Sequence, residues 1–207
     1  MNYQEIVADL IKYGKIASEK NLSPGYSGNM SARYGDNVII TKSGTSNGFL
    51  CEDDFVVIDF GGNVISGCGK ASSEKFLHLE FYKMRPDINY IIHVHPPVLT
   101  AFAACGRDLS SPLLAESIYY FGSIPLAEYA LAGSWELVEK TAKYFENFSE
   151  VLMANHGIII GSSTLHDAYM KLEMAECCAQ TILNCEILGG ARNLTKQQID
   201  EIMALKG

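Results

Sequence analysis

With 207 residues, 48% of them hydrophobic and 19% charged, the chain has the make-up of a globular protein able to bury a sizeable core. Its formal charge of −8 comes without a Lys- or Arg-rich track interleaved with aromatics, which argues against a nucleic-acid partner. No apolar run approaches the ~20 residues of a membrane span, the charged first twenty residues lack a signal-peptide core, and the six cysteines have no C-x-x-C or zinc-finger spacing. No membrane association and a reducing, cytoplasmic setting with free thiols are therefore expected.

Along the chain, Ile6, Leu10, Tyr13 and Ala17 recur on one face and predict a helix over 3–19. A loop rich in small residues, 21–28, leads to two extended segments, 30–34 and 38–41, joined by a turn at Gly35-Asp36-Asn37. A second glycine-bearing loop covers 42–48, and a further hairpin pairs 55–60 with 64–66. Ala71-Ser72-Ser73-Glu74 opens a helix to Arg85, with Leu77, Phe81 and Met84 on one stripe and Pro86 ending it. Tyr90 to Val94 reads as a buried strand, and Pro96-Pro97 starts a short helix closed by Gly106. The stretch 111–129 has no clear period. Ser134 caps a helix over 135–148, 151–154 and 158–160 are apolar runs around Asn155-His156-Gly157, Thr164 caps a long helix to Leu188, and 196–206 forms the last one. No repeat or linker divides residues 1–207, so one domain is expected. Hairpins interspersed with helices imply a mixed or mostly antiparallel sheet covered by helices.

The chemistry concentrates on His93-Val94-His95. Alternate residues of a strand share a face, so the two imidazoles point the same way with Cα atoms roughly 6.6–7 Å apart. One ion bonded at about 2.0–2.1 Å to each ring closes that span. His156, beside a glycine that lets the chain turn sharply, would complete the three-imidazole set that catalytic zinc favours. Of the other histidines, His166 reads as structural or solvated. His78 reads the same way, although its spacing of one helical turn from Glu74 would let it orient that carboxylate. Glu74 itself either complements the helix dipole behind a Ser72 or Ser73 cap, or reaches the metal as a displaceable ligand and base. Gly28-Asn29, Ser43-Gly44 and Ser72-Ser73 are each readable as plain turns; together, at one end of a sheet, they would cradle a phosphate without a lysine.

Gly28-Asn29-Met30-Ser31, Thr41-Lys42-Ser43-Gly44, Ser72-Ser73-Glu74, Arg85-Pro86-Asp87, His93-Val94-His95-Pro96 and Asn155-His156-Gly157 stand in an order and spacing that resemble the class II aldolase/adducin family, from about Asp9 to Ile187. The resemblance implies a single-domain, three-layer α/β fold with a central, mainly antiparallel sheet flanked by helices. It also implies a homotetramer with active sites at subunit interfaces. Carried over by position, His93, His95, His156 and Glu74 would hold one Zn(2+) per subunit, and Glu74 would be the catalytic acid/base. Gly28, Asn29, Ser43, Gly44, Ser72 and Ser73 would bind the substrate phosphate. A tyrosine from the neighbouring subunit, Tyr119 or Tyr120, would be the second acid/base. The implied reaction is reversible cleavage of a ketose 1-phosphate, such as L-fuculose 1-phosphate, to dihydroxyacetone phosphate and an aldehyde such as L-lactaldehyde. The family also contains L-ribulose-5-phosphate 4-epimerases, which carry a catalytic Asp where this chain has Ile118, and non-catalytic adducin-like binding modules, which do not need the ligand set.

Overall fold

A strand can be apolar at nearly every position only where both of its faces are covered, and Tyr90–Val94 is such a strand. In the computed structural model, which describes residues 2–205, it lies near the middle of an eight-stranded sheet and is buried throughout. The elements run α1 (Tyr3–Glu19), β1 (Asn29–Tyr34), β2 (Asn37–Thr41), β3 (Phe55–Ile58), β4 (Val64–Ser66), α2 (Lys75–Met84), β5 (Tyr90–Val94), α3 (Pro97–Ala104), α4 (Ala115–Tyr120), β6 (Leu126–Ala127), α5 (Trp135–Phe145), β7 (Glu150–Met153), β8 (Gly157–Ser162), α6 (Leu165–Ile187) and α7 (Lys196–Ala204). The strand order is β4-β3-β2-β1-β5-β8-β7-β6, and every pairing is antiparallel except β6 with β7.

Alternation along the strands divides the core into two layers. Met30, Ile92, Val94 and Ile158 pack against α1, α3 and α6 through Leu10, Leu99 and Leu172. Ile40, Ile91 and Ile159 point the other way, onto Leu79, Phe81 and Phe145 of α2 and α5. The three-layer α/β arrangement expected from the family resemblance is the one found. Antiparallel pairing also fixes the position of the functional residues. Asn29 opposes His93, and Val94 opposes Ile158, so the start of β1, the end of β5 and the β7–β8 turn share one end of the sheet.

Several element boundaries differ from the expectation. Ser72 does not cap α2: its backbone N–H donates to Thr41 O at 3.0 Å and keeps it extended, so the helix starts at Lys75 with Glu74 as the preceding residue. Met84, expected on the apolar stripe, is 40% exposed, while Leu77 and Phe81 are buried. β3 stops at Ile58 because Asp59 takes the N–H groups of Gly61 and Asn63. α5 ends at Phe145, whose ring stacks on Phe81 at 3.9 Å, and the chain then turns into β7. The unassigned stretch 111–129 contains α4 and β6. The expected end of the last helix at Lys206 lies outside the described residues.

Candidate metal centre and active site

β5 delivers His93 to the α2 side of the sheet, and the chain leaving the strand brings His95 back beside it. Their Nε2 atoms are 3.2 Å apart. His156 enters from the β7–β8 turn, with its ring centroid 4.8 Å from His93 and 4.9 Å from His95. Glu74 closes the group from the start of α2: Oε2 lies 3.1 Å from His93 Nε2, and Oε1 lies 3.3 Å from His156 Nε2. These are the four residues that the sequence nominates as ligands.

Gly157 serves differently from the sequence expectation. The left-handed backbone in this turn belongs to Asn155, at φ +55, and not to the glycine. A Cβ on residue 157 would instead lie 2.4 Å from His95 Cδ2 and 2.5 Å from Val94 O. Glycine is required there because the His95 ring rests on its backbone.

Protonation makes the cluster a cation site. His93 Nδ1 donates to Ile158 O at 2.9 Å, which fixes the tautomer and leaves a neutral ring's Nε2 lone pair facing Glu74 and His95. Burial, reinforced by the neighbouring imidazoles, lowers the His95 pKa to about 3 and that of His156 to about 4, so both are neutral at physiological pH. Burial alone would raise Glu74, but His93, His156 and the Asn29 amide hold it well below the usual carboxylate range. Burial would likewise lower His93, and Glu74 reverses that. An anion and several imidazole lone pairs thus converge with few protons among them. Tetrahedral bonds of about 2.0–2.1 Å place ligand atoms roughly 3.3–3.4 Å apart. The contacts of 3.1 to 3.3 Å match that spacing, and the three imidazoles' ligand atoms all lie within 4.8 Å of one another. The donor set fits one divalent metal ion.

The three small-residue loops meet beside this cluster. Ser43 N–H donates to Lys70 O, and Ser72 N–H to Thr41 O, which joins the second loop to the segment before α2. Ser46 Oγ donates to Gly25 O at 2.6 Å, and Asn47 Nδ2 to Ser23 Oγ at 2.9 Å, which joins it to the first. Gly28, at φ +85, sits so close to β5 that a Cβ there would be 2.3 Å from His93 O. Ser43, Gly44 and Ser73 are exposed, whereas Ser72 is buried with Oγ accepting Glu74 N–H. Asn29 is buried and donates from Nδ2 to Glu74 Oε2 at 2.9 Å, a bond that the sequence reading did not assign to it.

The profile of the family described as Class II Aldolase and Adducin N-terminal domain matches residues 8–183. The chain belongs to the class II aldolase and adducin family. Among curated class II relatives, an L-fuculose phosphate aldolase of Methanocaldococcus jannaschii is 40% identical over 175 residues, covering 84% of this chain and 94% of its own. A 5-deoxy-D-ribulose 1-phosphate aldolase of Bacillus thuringiensis is 30% identical over 197 residues, covering 94% and 92%. A solved L-fuculose 1-phosphate aldolase superposes with a TM-score of 0.91 at 33% identity, covering 99% of this chain and 97% of that one.

His78, Tyr119 and Tyr120, singled out in the sequence, are not among the four clustered side chains. His78 makes no hydrogen bond to Glu74; its Nδ1 meets Ser31 Oγ at 2.7 Å, and Asn29 holds the carboxylate. Tyr119 and Tyr120 lie on α4, which packs on α6 and α7, and their rings meet edge to face with centroids 4.9 Å apart. Asn29 and Ser31 did leave a signal in the sequence: with Arg33 they are polar residues at alternate positions of a strand covered on both faces.

Proposed function

We propose that the protein is a zinc-dependent aldehyde-lyase that reversibly cleaves a ketose 1-phosphate, L-fuculose 1-phosphate or a related short sugar phosphate, to dihydroxyacetone phosphate and an aldehyde such as L-lactaldehyde. The observation that carries this reading is Glu74, a buried carboxylate in contact with two of the three imidazoles and adjoining the joined loops. His93, His95, His156 and Glu74 would hold the zinc, which when bound supplies a Lewis acid for the negative charge that develops on the sugar oxygens. Gly28, Asn29, Ser43, Gly44, Ser72 and Ser73 would cradle the phosphate, Ser43 and Ser72 through their hydroxyls because their N–H groups donate to Lys70 O and Thr41 O, which suits a protein with no spare global positive charge. Glu74 then moves the proton at the carbon beside the phosphate-bearing arm.

In the proposed assembly, a homotetramer in the cytoplasm, Tyr119 or Tyr120 of one subunit serves the site of its neighbour as the second acid/base. None of the helices among the described residues is long and apolar enough to cross a membrane. Epimerase chemistry is disfavoured because Ile118 is an apolar side chain only 5% exposed, unable to do acid/base work. A non-catalytic binding module would have no use for the complete ligand set.

The test is to incubate the zinc-loaded protein with a panel of ketose 1-phosphates and L-ribulose 5-phosphate and assay released dihydroxyacetone phosphate. Triose release from a ketose 1-phosphate, with about one zinc per subunit, supports the reading. Epimer formation without triose release overturns it in favour of the epimerase, and a protein that purifies without metal and cleaves nothing favours the binding module.

A further inference from the structure

Three polar side chains of β1 face α2 at intervals of two residues and meet partners at intervals of four. Asn29 donates to Glu74 Oε2 at 2.9 Å, Ser31 Oγ lies 2.7 Å from His78 Nδ1, and Arg33 stacks its guanidinium 4.9 Å from the Tyr82 ring centroid while donating to Tyr82 O. The match is geometric: two strand residues advance about 6.6–6.8 Å and four helical residues about 6.0 Å, so strand and helix stay in step over three rungs. Every side chain of the first two rungs is less than a tenth exposed.

The middle rung has a direction. Assigning the Tyr82 proton to the shorter of its two contacts, 2.9 Å to Ser31 Oγ against 3.5 Å to Asn89 O, makes the serine its acceptor. In that assignment Ser31 donates in turn to His78 Nδ1, and the proton of a neutral ring stands on Nε2. That Nε2 is fully buried and bonded to nothing. A buried N–H without an acceptor is a standing cost, retained where some state of the protein supplies the partner. One helical turn earlier on the same face stands Glu74, whose Oε1 accepts no hydrogen bond.

We propose that His78 is a positioning residue for Glu74, its Nε2–H taking up the carboxylate when that group leaves the imidazoles to carry a proton. The proposal rests on the reading of Glu74 as the acid/base. Asn29 and His78 thus hold the carboxylate in two positions, one against the imidazoles and one withdrawn, and the Tyr82–Ser31–His78 chain keeps the second holder in its tautomer before substrate arrives.

Two variants separate the ring's two nitrogens. His78→Asn keeps a group near the Nδ1 position for Ser31 and loses Nε2; His78→Gln reaches the Nε2 position and loses the Ser31 bond. In the zinc-loaded full-length protein, His78→Asn is expected to lower kcat about 10- to 100-fold with KM changed less than about twofold, and His78→Gln to recover most of that loss. Turnover of His78→Asn within about twofold of wild type overturns the proposal, as does an equal loss in both variants that follows their thermal midpoints. A readout independent of turnover is the His78 Nε2 signal in protein carrying 15N-labelled histidine. It is expected to report the Nε2–H tautomer and to shift on adding dihydroxyacetone phosphate in wild type but not in Glu74→Gln. A signal that ignores Glu74→Gln sinks the His78 role even if aldol cleavage is found. The expected shift in a protein that cleaves no ketose phosphate would uphold the pair while removing the aldolase reading.

Discussion

The two ends of the central sheet are both rich in polar groups, but those groups are used differently. At the end where β5 finishes, Glu74 Oε1, Asn29 Oδ1, His78 Nε2 and His156 Nδ1 are buried without a hydrogen-bond partner. At the end where β5 begins, Arg33 donates to the carbonyls of Ile88, Tyr82 and Arg85, Arg85 grips Asp87 with two nitrogens, and Lys171 bridges Glu150 and Asp167. The first end holds several such atoms in reserve, whereas the second has spent most of its capacity on the fold, and its Glu150 Oε1, without a hydrogen bond, lies 3.4 Å from Lys171 Nζ. Polar density alone does not distinguish a site from a brace; unspent capacity does.

The comparison predicts that substitutions at the first end change chemistry and those at the second change stability. The largest effect is expected from Glu74→Gln, which should slow triose release by about 10²- to 10⁴-fold while leaving the circular dichroism spectrum unchanged; normal turnover would remove Glu74 from the acid/base role. Arg33→Met keeps the side-chain stem but strips donors from buried carbonyls. It should cost about 2–3 kcal/mol in urea unfolding with kcat intact, and a loss of activity in the folded variant would mean that the two ends are not separable. Gly157→Ala drives a Cβ into the His95 ring and should weaken metal binding about 10- to 100-fold in a competition titration with a chelator.

A pH prediction sharpens the division. Burial, with His93 adding to it, lowers His78 from 6.5 to about 3, so the folded ring resists a proton that the unfolded chain accepts. Proton uptake therefore favours unfolding, and stability falls as pH drops through that window, by at most about 1.4 kcal/mol per pH unit. His78→Gln should flatten this acid limb in unfolding curves taken between about pH 6 and 4; an unchanged limb would show that other groups dominate it. The smallest effect belongs to Gly35→Ala in the β1–β2 turn. Its φ of +58 lies in open space, so the variant should lose only about 1 kcal/mol and bind metal as wild type does.

How much of this was legible in the chain depends on whether the deciding force is local. The His93/His95 pairing follows from the two-residue period of a strand, and the burial of β5 from its unbroken apolar run, so both were readable. The start of α2 was not, because a backbone bond from Ser72 to Thr41, 31 positions away in the sequence, overrides the capping preference of serine. The reason for Gly157 was hidden for the same cause: its neighbour in space is His95, and nothing in Asn155-His156-Gly157 says so. Asn29 was read into a loop beside the proposed metal site, whereas it opens β1, and its partner, Glu74, lies on an element that only the three-dimensional packing brings near.

The matched pitch of β1 and α2 also bears on how the chain finds its register. A one-residue slip of β1 would turn Met30 and Ala32 toward α2 and carry Asn29, Ser31 and Arg33 into the oily layer beneath α1 and α6, three misplacements from one error. The polar stitching that steadies the carboxylate therefore acts during folding as a proofreading mark for the first hairpin.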